Sequence, residues 1–171
     1  MAAGALLGDV VLVFPCGRSY VRSDIPQDGT VLRLFRWAAE ELKINPSTVE
    51  LRHHGTSLPY SEEEDECPLI ATYTGRIFHV SSIDCFLLTA ILPGKDESQG
   101  VHFYIPKRLT VLDMANILGE LLGRDAASIL ILHNRYVPAG SHTGGMLLQK
   151  QQEWDQELHV RVVFVDNAQV M

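Results

Sequence analysis

Three cysteines, Cys16, Cys67 and Cys85, and seven histidines are the side chains of this sequence best able to do chemistry. A thiolate attacks electrophiles, and an imidazole serves as a base or a metal ligand. Their spacing supports neither use. The cysteines are odd in number and form no CxxC pair, so they make neither a disulfide framework nor a zinc knuckle. Cys16 lies near a predicted turn and Cys85 begins an apolar strand, and neither sits in a cysteine-enzyme signature; an inert buried thiol is the default. His53 and His54 are adjacent, so on a strand their side chains point to opposite faces and cannot share an ion. His102, His133, His142 and His159 fall in no HExxH frame. No GxSxG elbow accompanies the serines. Gly140–Gly145 lacks the Lys-Ser/Thr that closes a phosphate loop. These residues describe a non-enzyme with no metal and no cofactor, and a cysteine-dependent enzyme remains only as an alternative.

Charge points elsewhere. The net charge is −7, which disfavours nucleic acid, since that partner needs a basic surface to release counterions. Glu62, Glu63, Glu64, Asp65 and Glu66 form the densest cluster, and this run equals the net −5 of the chain up to Asp84. It either docks a basic partner or is a solvated loop, and the loop is the plainer reading. With 46% hydrophobic and 20% charged residues the composition is that of a folded protein. The longest apolar run, Cys85–Pro93, is far short of the roughly 20 residues of a spanning helix, so no membrane is expected. Met1–Gly8 lacks a basic start and is interrupted by Asp9, so no secretory leader is expected. Met1-Ala2 offers no myristoyl site. Unpaired thiols suit a reducing compartment, the cytoplasm or the nucleus.

What must position these residues is a duplicated scaffold. Ile25-Pro26 and Thr30-Val31-Leu32 recur 80 residues later as Ile105-Pro106 and Thr110-Val111-Leu112. Glu40 and Leu42 recur as Glu120 and Leu122, and Val49, Leu51 and His53 as Ile129, Ile131 and His133. Phe78-His79-Val80 recurs as Leu158-His159-Val160. One fixed offset means a repeat, so two domains are expected, 1–82 and 83–171, rigidly joined by Ser81–Asp84.

Each copy reads ββαββ. The first has strands over Val10–Phe14 and Ser19–Ile25 with Gly17 as the turn. Val31, Leu34, Ala38 and Leu42 then share one helical face, and Pro46 follows the helix end. Val49–His53, Leu58-Pro59 and Arg76–Val80 complete it. Phe35 and Trp37 flank the helical stripe, either widening the core face or offering a second contact surface, with core the default. The second copy has Phe86–Leu92, His102–Ile105, a helix near Val111–Leu122, Ile129–His133, Tyr136–Pro138 and Leu158–Val165. Thr110 with Asp113 fits a capping box, and Gly123 fits a left-handed C-cap. Met146–Glu157, with Trp154 near its end, reads as an added short helix or extended loop.

The strand-turn-strand start, the Ile-Pro before a Thr-capped helix, the strand leading into His53-His54-Gly55-Thr56-Ser57-Leu58 and the closing Phe78-His79-Val80 resemble the ubiquitin-like β-grasp family. The resemblance covers both halves. It implies an α+β fold of two tandem β-grasp lobes, each a mixed sheet packed on one main helix. It also implies a protein-binding function, and for some members conjugation through a C-terminal Gly-Gly. Here the chain ends Gln169-Val170-Met171, and cleavage at Gly144-Gly145, read as a loop, would remove the final strand. A tandem modifier is therefore the disfavoured alternative.

The family's usual contact surface is the outer sheet face, centred on an isoleucine of the third strand beside a histidine of the last. The matching residues are Arg52 and His79 in the first copy, where a guanidinium replaces the apolar centre. In the second they are Leu132 and His159, with Leu130 two residues earlier. Ile129–Leu132, Phe86–Leu88 and Val162–Val165 also fail to alternate as half-exposed strands should, which leaves Leu130 and Leu132 pointing outward. Outward apolar residues mark a covered face, with either the first lobe or another protein as its owner. The candidate partner-binding residues are Leu130, Leu132, His159, Arg161, Arg52 and His79, together with Glu62, Glu63, Glu64, Asp65 and Glu66. The expected function is a non-catalytic adaptor, scaffold or small subunit of a larger assembly. Protein partners are expected, and no nucleic acid, membrane or small-molecule substrate.

Overall fold

The computed structural model describes residues 5–151 and 157–165. Trp154, Met1–Gly4 and Gln169–Met171 lie outside the described residues. The fold is α+β, with two mixed sheets and three helices among the described residues. The chain divides into two compact units, Met1–Ile83 and Asp84–Met171.

In the first unit, β1 (Val10–Val13), β2 (Ser19–Arg22), α1 (Val31–Leu42), β3 (Val49–His53), β4 (Thr56–Ser57) and β5 (Ile77–Ser82) follow in order. The sheet order is β2-β1-β5-β3-β4. β1 and β5 are parallel and the other pairs antiparallel. Alternate strand residues Val10, Leu12, Leu51, Phe78 and Val80 are buried, as a sheet covered on one face requires. α1 buries more than its predicted stripe. Phe35 and Trp37 join Val31, Leu34, Ala38 and Leu42 in the core, so they offer no separate contact surface.

The N-terminus of α1 is held from a distance. Thr30 makes no side-chain capping bond and the first turn carries no acidic residue. Instead the Thr30 hydroxyl donates to Glu64 Oε1 at 3.3 Å, and Val31 N–H donates to the Pro68 carbonyl at 3.0 Å. Glu64 thus brings a negative charge to the positive end of the helix dipole. The acidic run is an exposed connection, and one of its members reaches this helix end. Glu64–Glu66 form a 3-10 turn, and Ser61 Oγ donates to Glu66 Oε2 at 2.9 Å. Replacing Glu64 by Ala is expected to lower stability by about 0.3–1 kcal/mol, the usual size of such a helix-end charge. Asp65→Ala should be neutral. Urea titrations giving the same midpoint for both variants would refute the anchoring role of Glu64.

The second unit repeats the order as β6 (Cys85–Ile91), β7 (Val101–Pro106), α2 (Val111–Leu122), β8 (Ile129–His133), β9 (Arg135–Tyr136) and β10 (Glu157–Phe164). One helix, α3 (Gly144–Gln151), is added before β10. The sheet order is β7-β6-β10-β8-β9, with β6 and β10 parallel. Phe86, Leu88, Met114, Leu118, Ile131, Leu158 and Val160 build its core. α2 is capped locally. Asp113 N–H donates to Thr110 Oγ1 at 3.1 Å, Thr110 N–H donates to Asp113 Oδ2 at 2.9 Å, and Gly123 is left-handed with φ of 66°.

Several sequence boundaries shift. β2 stops at Arg22 rather than Ile25, and Ser81 and Ser82 belong to β5 rather than to a linker. The edge strands precede Leu58-Pro59 and Val137-Pro138, because tight turns at His54 (φ 50°) and Asn134 (φ 67°) start the pairing at once. Gly144-Gly145 is the start of α3 and not a loop. Its amides donate to the Leu109 and Lys107 carbonyls at 2.9 and 2.8 Å, and Gly144 packs against the Phe86 ring.

Candidate interaction site

Strand register decides which residues share the outer face of the second sheet. Arg161 pairs with both Ile91 and Leu132, and Val163 pairs with Leu130. His159 lies two residues before Arg161 on β10, opposite Thr89. Leu132, His159 and Arg161 therefore converge, and they line one groove of about 390 Å³ with Ile91, Glu97 and His133. Its walls are aliphatic at Ile91 and Leu132 and carry opposite charges at Glu97 and Arg161. Leu132 is half-buried while His159 and Arg161 are exposed. His159 Nε2 stands 3.6 Å from Glu157 Oε2, on the same face. Leu130 is half-buried beside Val163 and does not line this groove.

On the first sheet Arg52 pairs with His79, and both are exposed. The guanidinium is already engaged: Arg52 Nε donates to Glu50 Oε1 at 2.9 Å, and Ser57 Oγ donates to the same oxygen at 2.8 Å. The Ser57 hydrogen bond first, and Arg52 second, hold the Glu50 carboxyl below its ordinary value. Arg52 thus belongs to a neutralised polar patch. Sequence reasoning missed the other half of this face. Val11 pairs with Val21 and with Ile77, giving one apolar row across three strands. Val21 is 57% and Ile77 51% exposed. The signal was present, because Val10–Val13 fails to alternate just as Ile129–Leu132 does.

Glu62, Glu63, Glu64, Asp65 and Glu66 are all exposed, in the connection between β4 and β5. Cys67 is buried, and its thiol donates to the Ser61 carbonyl at 3.3 Å. Cys85 is buried and Cys16 half-buried.

The expectation that His53 and His54 face apart is overturned. His54 has left the strand with φ of 50°, so the two rings lie 4.1 Å apart, edge to face. His53 Nε2 stands 2.6 Å from the Thr74 carbonyl and 3.0 Å from that of Gly75, while His54 Nε2 is 3.4 Å from Thr74 O. A carbonyl only accepts, so His53 carries its proton on Nε2. Among the described residues no three His, Cys, Asp or Glu side chains gather as a metal-holding group. Among the same residues no helix is long and apolar enough to cross a membrane.

No family model matches the chain, and no curated protein matches it. Among solved structures it is similar to the NMR solution structure of a computationally designed protein based on the template of human erythrocytic ubiquitin. That similarity has 19% identity and a TM-score of 0.35, over 44% of this chain and 91% of the other.

Proposed function

We propose that the two units are tandem ubiquitin-like β-grasp domains, and that the chain is a non-catalytic protein-interaction module, an adaptor or small subunit of a larger assembly. The repeated strand order, with a helix between the second and third strands and parallel first and last strands, supports the fold. The observation that carries the function is the groove holding Leu132, His159 and Arg161 on one sheet face. An aliphatic floor with a charged rim suits the apolar side chain of a partner polypeptide, with the rim selecting its orientation. Arg52 and His79 contribute little, since Glu50 already offsets the guanidinium. Three cysteines, an odd number, favour a reducing compartment, the cytoplasm or nucleus.

The test is affinity purification from native cells with mass spectrometry, comparing the natural chain with Leu132→Asp, Arg161→Glu and Arg52→Glu. Proteins that co-purify with the natural chain should fall at least about tenfold with Leu132→Asp, as for loss of a central anchor. Arg161→Glu should act in the same direction, and Arg52→Glu should retain the partners. Equal recovery by all four chains, each verified as folded by circular dichroism, would sink the reading.

A further inference from the structure

A second recess, of about 470 Å³, lies in the second unit between the β8–β9 turn and α3, and among the described residues shares His133 and Asn134 with the groove. Its ionisable lining is His133, Arg135, Tyr136, His142 and Lys150, with no carboxylate among the described lining residues. Within a chain of net charge −7, this collects cationic and potentially cationic groups in one concavity. A recess lined by one sign of charge concentrates field and attracts counter-charge.

The cation on α3 is held by a hydrogen-bond relay with every proton placed. Lys150 Nζ stands 2.6 Å from His142 Nε2, and an ammonium has only donors, so Nε2 accepts. The proton of His142 is therefore on Nδ1, which donates to Ser141 Oγ at 2.8 Å. Ser141 Oγ in turn donates to the Pro138 carbonyl at 2.9 Å. Lys150 is thus positioned against an imidazole nitrogen and not against a carboxylate. Arg135 adds a planar donor fork suited to two oxygens of one anion. Tyr136, 53% exposed, stands beside them, over the core residues Val137 and Leu147.

We propose that this recess is an oxyanion site for a phosphate monoester carried on an aromatic or apolar body. Arg135 and Lys150 take the phosphate oxygens, while the exposed Tyr136 ring covers the body. The site does not depend on the groove of the outer sheet face, and its failure would leave the protein-interaction reading untouched.

The test is an amide and side-chain NMR titration of the full chain with phenyl phosphate, and in parallel with inorganic phosphate. Phenyl phosphate should move the Arg135, Tyr136, His142 and Lys150 signals together in a saturable way, and added NaCl should weaken the effect. Inorganic phosphate should need clearly higher concentrations to move the same signals. Arg135→Gln and Lys150→Gln, both at exposed positions, should each weaken phenyl phosphate about tenfold, as loss of one charge-assisted hydrogen bond does. Lys150→Arg, which keeps the charge, should retain binding. Absence of saturable shifts at these residues would overturn the site, as would unchanged affinity in the two Gln variants. Equal affinity for the two phosphates would overturn the monoester assignment.

Discussion

A chain ended after Gly145 is expected to lose the folded second unit. The cut removes α3 from Met146 onward and all of β10, the middle strand of its sheet. β10 pairs with β6 on one side and β8 on the other, so both ladders go with it. It also carries Leu158, Val160 and Val162, each no more than 1% exposed. Burial of one such side chain is worth about 1.5–3 kcal/mol, and a domain is stable by only about 5–15 kcal/mol in total. Loss of these three, of Leu147 and Leu148, and of two ladders exceeds that margin. Amide signals from residues 84–145 should collapse to random-coil positions in the truncated chain. Retained dispersion of those signals would show that β10 is dispensable and would overturn the strand order. The outcome also bears on the modifier alternative, since a Gly-Gly terminus made at Gly145 would carry an unfolded second unit.

Gly144→Ala is the second large effect. A Cβ built on Gly144 lies 2.3 Å from Cε1 and 2.4 Å from Cζ of Phe86, with Met114 Cε at 3.2 Å. Contacts under 3 Å force something to move, and Phe86 and Met114 are both fully buried. Alanine gains at most about 1 kcal/mol in helix propensity over glycine, and less at a helix start. Overpacking of a closed core costs about 1–3 kcal/mol, so the clash wins and the variant is destabilised. Gly145→Ala is the internal control, because its Cβ would meet nothing closer than Lys107 Cβ at 3.3 Å, a contact that needs a shift of only a few tenths of an ångström. Adding Phe86→Leu to Gly144→Ala should cost less than the sum of the two single changes, the signature of a shared contact. Urea midpoints equal for Gly144→Ala and Gly145→Ala would contradict the packing of α3 on Phe86.

The two helices divide what can be read in a sequence from what cannot. The capping box of α2 joins Thr110 to Asp113 and is visible as a spacing of three. At α1 the Val31 N–H is met by the Pro68 carbonyl and the Thr30 hydroxyl by Glu64, 34 residues away, and no local pattern announces either. The acidic run therefore looked like surface charge, although one member anchors a helix. The Glu50–Arg52 pair, two apart on one strand face, was within reach of sequence reasoning, and it engages the Arg52 guanidinium within its own strand. The histidine pair was misjudged because alternation holds only inside a strand, and His54 with Gly55 has already turned out of it.

The 80-residue repeat, the helices Val31–Leu42 and Val111–Leu122, the inward faces of the strands and the outward position of Leu130 and Leu132 were determined by the sequence alone. Each follows from neighbours within one or two turns, or from the two-residue period of a strand. Only the tertiary structure decided that Leu132, His159 and Arg161 share a groove from which Leu130 is left out. It alone joined Val21, Val11 and Ile77 into a row, and brought His142 and Lys150 to one recess. Those groupings depend on strand register and on contacts between distant segments. Register is set by the packing of the whole sheet on its helix, which a one-dimensional period does not encode.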